Sequence, residues 1–144
     1  MRDHAANQVE IRVPSDPKML KIIRSGIAHL CELCGFPREE CNAVTIAVDE
    51  AVSNIIKHAY QGRTDKLIVV QFRVLEDRLE IVLRDFGKKV DPKHIKSRRL
   101  DDIRPGGLGV HLIKSTMDEV SYDNSVGEGN QLTLAKYLPR LKEH

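Results

Sequence analysis

The chain has 144 residues, 41% hydrophobic and 31% charged, with a net charge of +2. That length suits one domain, spanning 1–144 with a core at about 8–138, able to bury roughly 70% of its unfolded surface without disulfide or metal staples. Near-neutral charge excludes a general nucleic-acid binder, which needs a concentrated basic face, and no run approaches the ~18 apolar residues of a membrane span. The N-terminus lacks an apolar signal core, so the expected compartment is the cytoplasm.

Gln8 to Val13 alternates polar and apolar and predicts a first strand. Asp16 followed by Pro17 supplies an N-cap and a proline at the first helical position. Met19, Leu20, Ile23, Ile27, Leu30, Cys31 and Cys34 then recur at helical spacing until Gly35, which predicts a helix over about 17–34. Cys31 and Cys34 form a CxxC pair near His29, but no second pair stands at zinc-ligand spacing. They and Cys41 read as reduced thiols buried by a helix.

Pro37, Glu39 and Glu40 open a second helix, with carboxylates at its positive end. Its apolar stripe runs Cys41, Val44, Val48, Ala51, Val52, Ile55 and Ala59, and Gln61-Gly62 ends it. Glu50, Asn54 and His58 recur every four residues along one flank. A solvated flank explains them; so does a pair of hard oxygen ligands, the kind magnesium accepts while keeping its waters.

Leu67 to Leu75 and Leu79 to Asp85 predict two strands joined at Glu76-Asp77-Arg78. Leu79, Ile81, Leu83 and Asp85 share one face, so an acid ends a row of aliphatics. Asp85 then either accepts from the turn at Gly87 or receives a ligand amine. Residues 86–106 predict a long loop whose basic run, Lys93 to Arg99, is either a solvated surface or a phosphate or partner contact.

Gly106-Gly107-Leu108-Gly109 leads into a third helix over about 108–118. Free N–H groups at a glycine-led helix start suit an anion. Val120 to Val126 and Gln131 to Leu138 predict a closing hairpin around Gly127-Glu128-Gly129-Asn130. The order β-α-α-β-β-α-β-β lacks β-α-β alternation, so the fold class is α+β: a mainly antiparallel sheet with helices on one face.

Asp85-Phe86-Gly87 spells the DFG of eukaryotic-type protein kinases, yet the chain has no HRD loop and is far too short for that fold. It also has no GxxxxGK[ST] phosphate loop, and no third glycine completes a dinucleotide fingerprint.

In chain order the pieces resemble a different family. Glu50-Ala-Val-Ser-Asn54-Ile-Ile-Lys-His58-Ala-Tyr60 is similar to the N-box of the GHKL ATPases, above all the anti-sigma factor serine/threonine kinases. Asp85-Phe-Gly87 resembles their G1 box, Gly107-Leu-Gly109-Val-His-Leu-Ile-Lys their G2 box, and Gly127-Glu-Gly129-Asn130-Gln-Leu-Thr-Leu their closing hairpin. The resemblance implies a two-layer α/β sandwich of the Bergerat type, with ATP and Mg²⁺ as cofactors. It implies that Asn54 holds the metal and Glu50 acts as general base. Asp85 would accept from the adenine amine, Gly87 would border the base, and Gly106, Gly107, Leu108 and Gly109 would meet the phosphates. His58 and Asn130 fall in the same boxes as cofactor-binding candidates, and Arg104 is the candidate cation for the moving phosphoryl.

A STAS-like anti-anti-sigma protein is the implied substrate, with sigma-factor sequestration and a homodimer as further implications, and no direct nucleic-acid or membrane partner. Lys89 replaces the second glycine of the G1 box, Asn130 stands where threonine is frequent, and Pro105 and Gly106 shift Arg104 by one position. Two other readings stand beside the kinase: a nucleotide-holding module that regulates stoichiometrically, and a histidine-kinase catalytic domain working in trans.

Overall fold

A computed structural model of the chain describes residues 7–90 and 113–139. Strand β1 (Gln8–Pro14) is followed by a 3₁₀ turn (Pro17–Met19), helix α1 (Leu20–Leu33) and helix α2 (Arg38–Asn54). Strands β2 (Leu67–Val74), β3 (Arg78–Asp85), β4 (Glu119–Asp123) and β5 (Asn130–Tyr137) complete the described order, with residues 113–116 helical. The five strands form one antiparallel sheet in the order β1-β2-β3-β5-β4. This is the α+β arrangement expected from the sequence.

Local chemistry accounts for the element ends. The Asp16 side chain accepts from the Lys18 amide at 3.0 Å, and Pro17 follows as the first residue of the turn. Gly35 takes φ +85° beyond α1, a left-handed conformation that glycine adopts at little cost. Cys31 is buried, whereas Cys34 caps α1 and is only half-buried, so the paired thiols do not share one environment.

Period-two alternation divides the sheet into two faces. Across the strands, Val9, Phe72, Ile81, Leu134 and Val120 form one row, and Ile11, Val70, Leu83, Leu132 and Tyr122 the next. Buried members of these rows make a single core with Ile23, Ile27 and Cys31 of α1 and Val44, Val48 and Val52 of α2. Phe72 is the largest fully buried side chain in it. The opposite face carries ion pairs instead, with Glu80 between Arg73 and Arg78, and Glu119 beyond Arg78.

A lysine also lies on the core face. Lys136 is 5% exposed; its ammonium meets the Glu40 carboxylate at 3.2 Å and donates to the Thr116 carbonyl at 3.0 Å. A buried ammonium needs such partners, and these join the first turn of α2 to the end of the 113–116 helix.

The second helix does not continue regularly to residue 60. From Ile55 to Ala59 it widens into a π turn, in which Tyr60 N–H donates to the Ile55 carbonyl at 3.0 Å. Apolar spacing alone does not register this, because Ile55, Ile56 and Ala59 stay buried through the change. Gly62 N–H donates to Ile56 O at 2.7 Å, and Gln61 and Gly62 take left-handed conformations that end the helix.

Candidate functional site

A third row of the sheet sets the site. Val13, Ile68, Asp85 and Asn130 lie side by side in register, so an apolar row turns polar as it crosses from β3 to β5. Asp85 is 2% exposed and Asn130 is 1% exposed. Asp85 Oδ1 accepts from the Gly87 amide at 3.0 Å and from Asn130 Nδ2 at 3.0 Å. The turn-acceptor reading of Asp85 therefore holds for one oxygen. The second, Oδ2, receives neither of these bonds.

Burial pushes the Asp85 carboxyl above the usual carboxylate range, while the Gly87 amide, the Asn130 side chain and the Arg84 guanidinium pull it back. Arg84 lies on the other face and donates to the carbonyls of Asp85 at 2.9 Å and Asn130 at 3.2 Å, with Phe86 under its guanidinium. Tyr60 and Tyr122 both feel the Asp85 charge, and burial raises both phenols, so they stay neutral around it.

The widened end of α2 packs directly on this row. Lys88 N–H donates to the Ala59 carbonyl at 2.8 Å, and Phe86 N–H donates to the Tyr60 hydroxyl at 2.8 Å. The Tyr60 hydroxyl donates in turn to the Leu67 carbonyl at the start of β2. A Cβ on Gly87 would stand 2.7 Å from the Ala59 carbonyl carbon and 2.8 Å from the Tyr60 ring. Glycine is required here by the approach of the helix end.

Glu50 and Asn54 are half-buried on the flank leading to that end, and His58 is exposed one turn further on. Glu50 stands roughly 13 Å along the helix from Ala59, within the reach of a nucleoside triphosphate. Among the described residues, no hydrogen-bond partner takes up the Glu50 carboxylate or the Asn54 amide. No trio of metal-ligating side chains occurs among them either. An unengaged amide oxygen beside a carboxylate suits Mg²⁺, which takes few protein ligands when it also binds phosphate oxygens and water.

The structure thus brings Asp85, Gly87 and Asn130 together and seats them on the end of the helix that carries Glu50, Asn54 and His58. Arg104, Gly106, Gly107, Leu108 and Gly109 lie outside the described residues.

A family model described as a histidine kinase-like ATPase domain matches residues 13–136. The chain belongs to that family. Serine-protein kinase RsbW of Bacillus subtilis (strain 168) is 32% identical over 141 residues, covering 92% of this chain and 87% of that protein. RsbW of Staphylococcus aureus (strain RF122) is 34% identical over 142 residues, with coverage of 92% and 87%. Among solved structures, a chain of the Pseudomonas aeruginosa SiaB–SiaC complex shares the fold with a TM-score of 0.62 at 14% identity, covering 90% of this chain and 88% of that one.

Within this histidine kinase-like ATPase domain, two residues matter to the site in ways the sequence did not announce. Tyr60 ties three elements together through one hydroxyl. Gly129 takes φ +72°, and a Cβ there would stand 2.6 Å from both the Asp85 carbonyl carbon and the Phe86 Cα. The signal for Gly129 was the Gly127-x-Gly129 spacing in the hairpin; nothing in the sequence marked the Tyr60 hydroxyl. No described helix is long and apolar enough to cross a membrane.

Proposed function

We propose that this chain is an ATP-dependent serine/threonine protein kinase of the anti-sigma factor type, transferring the γ-phosphoryl of Mg·ATP to a hydroxyl on a small STAS-like anti-anti-sigma partner. One observation carries the reading. A sealed strand-end carboxylate, Asp85, keeps one oxygen clear of its Gly87 and Asn130 bonds and is held against the end of the helix bearing Glu50 and Asn54. Relatives named serine-protein kinase over 92% of this chain support the reaction class.

In this reading Asp85 Oδ2 accepts from the adenine 6-amino group. A guanine, with a carbonyl at that position, would set acceptor against acceptor, so the carboxylate selects the base. Gly87 and the 86–88 backbone border the ring. Gly106, Gly107, Leu108 and Gly109 offer main-chain N–H groups to the phosphates. Asn54 would hold Mg²⁺ through its amide oxygen, with His58 as a further candidate near the nucleotide, and the bound ion would supply positive charge to the phosphate oxygens.

Glu50 takes the proton of the incoming serine or threonine hydroxyl as its oxygen bonds to the γ-phosphorus and the bond to the ADP oxygen breaks. Arg104 supplies positive charge to the phosphoryl in transit. Sigma-factor sequestration and homodimer formation extend the reading and rest on the resemblance to anti-sigma kinases alone.

Radiolabelled ATP, the purified chain and a candidate STAS-like partner test it. Label moves to a serine or threonine with the wild type and not with Glu50→Gln, which still binds ATP. Tight nucleotide binding by the wild type with no transfer would reject the kinase and leave a nucleotide-holding module. An acid-labile phosphohistidine on the partner would favour histidine-kinase chemistry.

A further inference from the structure

The Asn130 side chain is committed on both ends. Nδ2 donates to Asp85 Oδ1 at 3.0 Å and to the Lys88 carbonyl at 2.9 Å, while Oδ1 accepts from the Val90 amide at 2.9 Å. Both amide protons are therefore spent inside the protein, and the residue is 1% exposed. It has no donor left for a nucleotide.

The same short segment is held from a second side. Asn124 Nδ2 donates to the Val90 carbonyl at 3.3 Å, and Lys89 Nζ donates to the carbonyls of Asn124 and Val126. Lys89 thus grips the β4–β5 connection with a cation.

We infer that Asn130 is a positioning residue that fixes the Asp85 carboxylate and the 88–90 backbone as one unit, so that base recognition and the path of the chain leaving β3 are set together. The inference rests on the reading of Asp85 as the residue that accepts from the adenine amine. Asn130 acts through Asp85 and makes no contact with the nucleotide. Threonine has one hydroxyl donor and a shorter reach. It can retain a bond to Asp85 but cannot also span Lys88 and Val90.

The test separates these two duties. Affinities for Mg·ATP and for Mg·purine riboside triphosphate, which lacks the 6-amino group, are measured by calorimetry for wild type, Asn130→Ala and Asn130→Thr. Their ratio reports the Asp85 contact, and the phosphates, common to both ligands, cancel. Hydrogen exchange at the Val90 amide reports the 88–90 backbone. The wild type favours ATP by about tenfold or more, as a bond to a charged acceptor does.

Asn130→Ala brings that ratio close to unity. Asn130→Thr keeps it within about threefold of wild type, while Val90 exchange accelerates by about tenfold or more once its acceptor is lost. A folded Asn130→Ala with the wild-type ratio overturns the inference. If alanine prevents folding, Asn130→Thr with unchanged Val90 exchange does the same. A wild type without preference for the 6-amino group would instead overturn the assignment of Asp85.

Discussion

The amide of Lys88 donates to the carbonyl of Ala59 across 2.8 Å, joining the segment after β3 to the last turn of the helix that carries Asn54. The approach is close because Gly87 has no side chain. Gly87→Ala places a methyl 2.7 Å from the Ala59 carbonyl carbon, so one of the two segments must move. A stability loss of about 1–3 kcal/mol is expected, as for other overpacked sites, together with weaker ATP binding. Denaturant unfolding and calorimetry check the two effects; an unchanged midpoint would show that the contact yields.

Tyr60 presents one hydroxyl to two main-chain groups, donating to Leu67 O and accepting from Phe86 N–H. Tyr60→Phe keeps the ring and orphans both partners. Loss of about 1–3 kcal/mol follows from leaving buried groups unsatisfied, with accelerated amide exchange at Phe86. A variant as stable as the wild type would show that water replaces the hydroxyl.

Asp85 is held at a cost to the fold. Burial sets its folded pKa above the unfolded value near 3.8, so the folded chain holds more protons between the two. Stability is therefore fully present below the ordinary carboxylate range and declines as pH climbs through the folded pKa. Asp85→Asn retains an acceptor for Gly87 and Asn130 while removing the buried charge. Its Tm should exceed that of the wild type at pH 7, and the difference should shrink as pH falls, disappearing below the ordinary carboxylate range. ATP affinity should fall by about tenfold or more. A Tm below wild type at pH 7 would contradict this account.

Asn54→Ala should abolish the magnesium-dependent part of ATP binding and leave the unfolding midpoint nearly unchanged, because no described group bonds to the amide. Alanine is also the better helix former there, by several tenths of a kcal/mol. Calorimetry with and without magnesium gives the answer; equal ATP affinity to wild type in magnesium would remove Asn54 as a metal ligand.

Lys136→Ala removes the ammonium that meets the Glu40 carboxylate and donates to the Thr116 carbonyl. Glu40 is partly solvated, so the expected loss is about 2–3 kcal/mol, below the full value for a broken buried pair. Lys136→Met, which restores the volume beside Phe36, should recover much of it. Thermal unfolding of the two variants orders them; methionine less stable than alanine would refute the packing argument.

The sequence disclosed the frame of this site better than its joints. Alternation through Leu79, Ile81 and Leu83 put Asp85 on the helix-covered face, because a strand's period is rigid and one residue of slip would reverse it. Helical spacing likewise put Glu50 and Asn54 together on one flank of α2, whereas His58 falls in the widened turn beyond it. The widened turn was not legible, since its apolar residues stay buried whether the ring closes over four residues or five. The Tyr60 hydroxyl was not legible either: its partners, Leu67 and Phe86, lie 7 and 26 residues away and contribute only backbone. Lys136 falls on the inner face by alternation, yet its partners come from α2 and the 113–116 helix and become neighbours only through packing. Glycine spacing marked Gly87 and Gly129 without saying what crowds them.

The π turn at Ile55–Ala59 has a consequence for chain length. A turn closed over five residues holds one residue more than the turns of the α-helix that precede it, and that surplus carries Ala59 and Tyr60 far enough round to meet Lys88 and Phe86. Deleting a single residue between Ile55 and His58 would let the helix close regularly and turn those two groups away. The nucleotide end of the sheet would then come loose from its helix with every candidate ligand residue still present in the sequence.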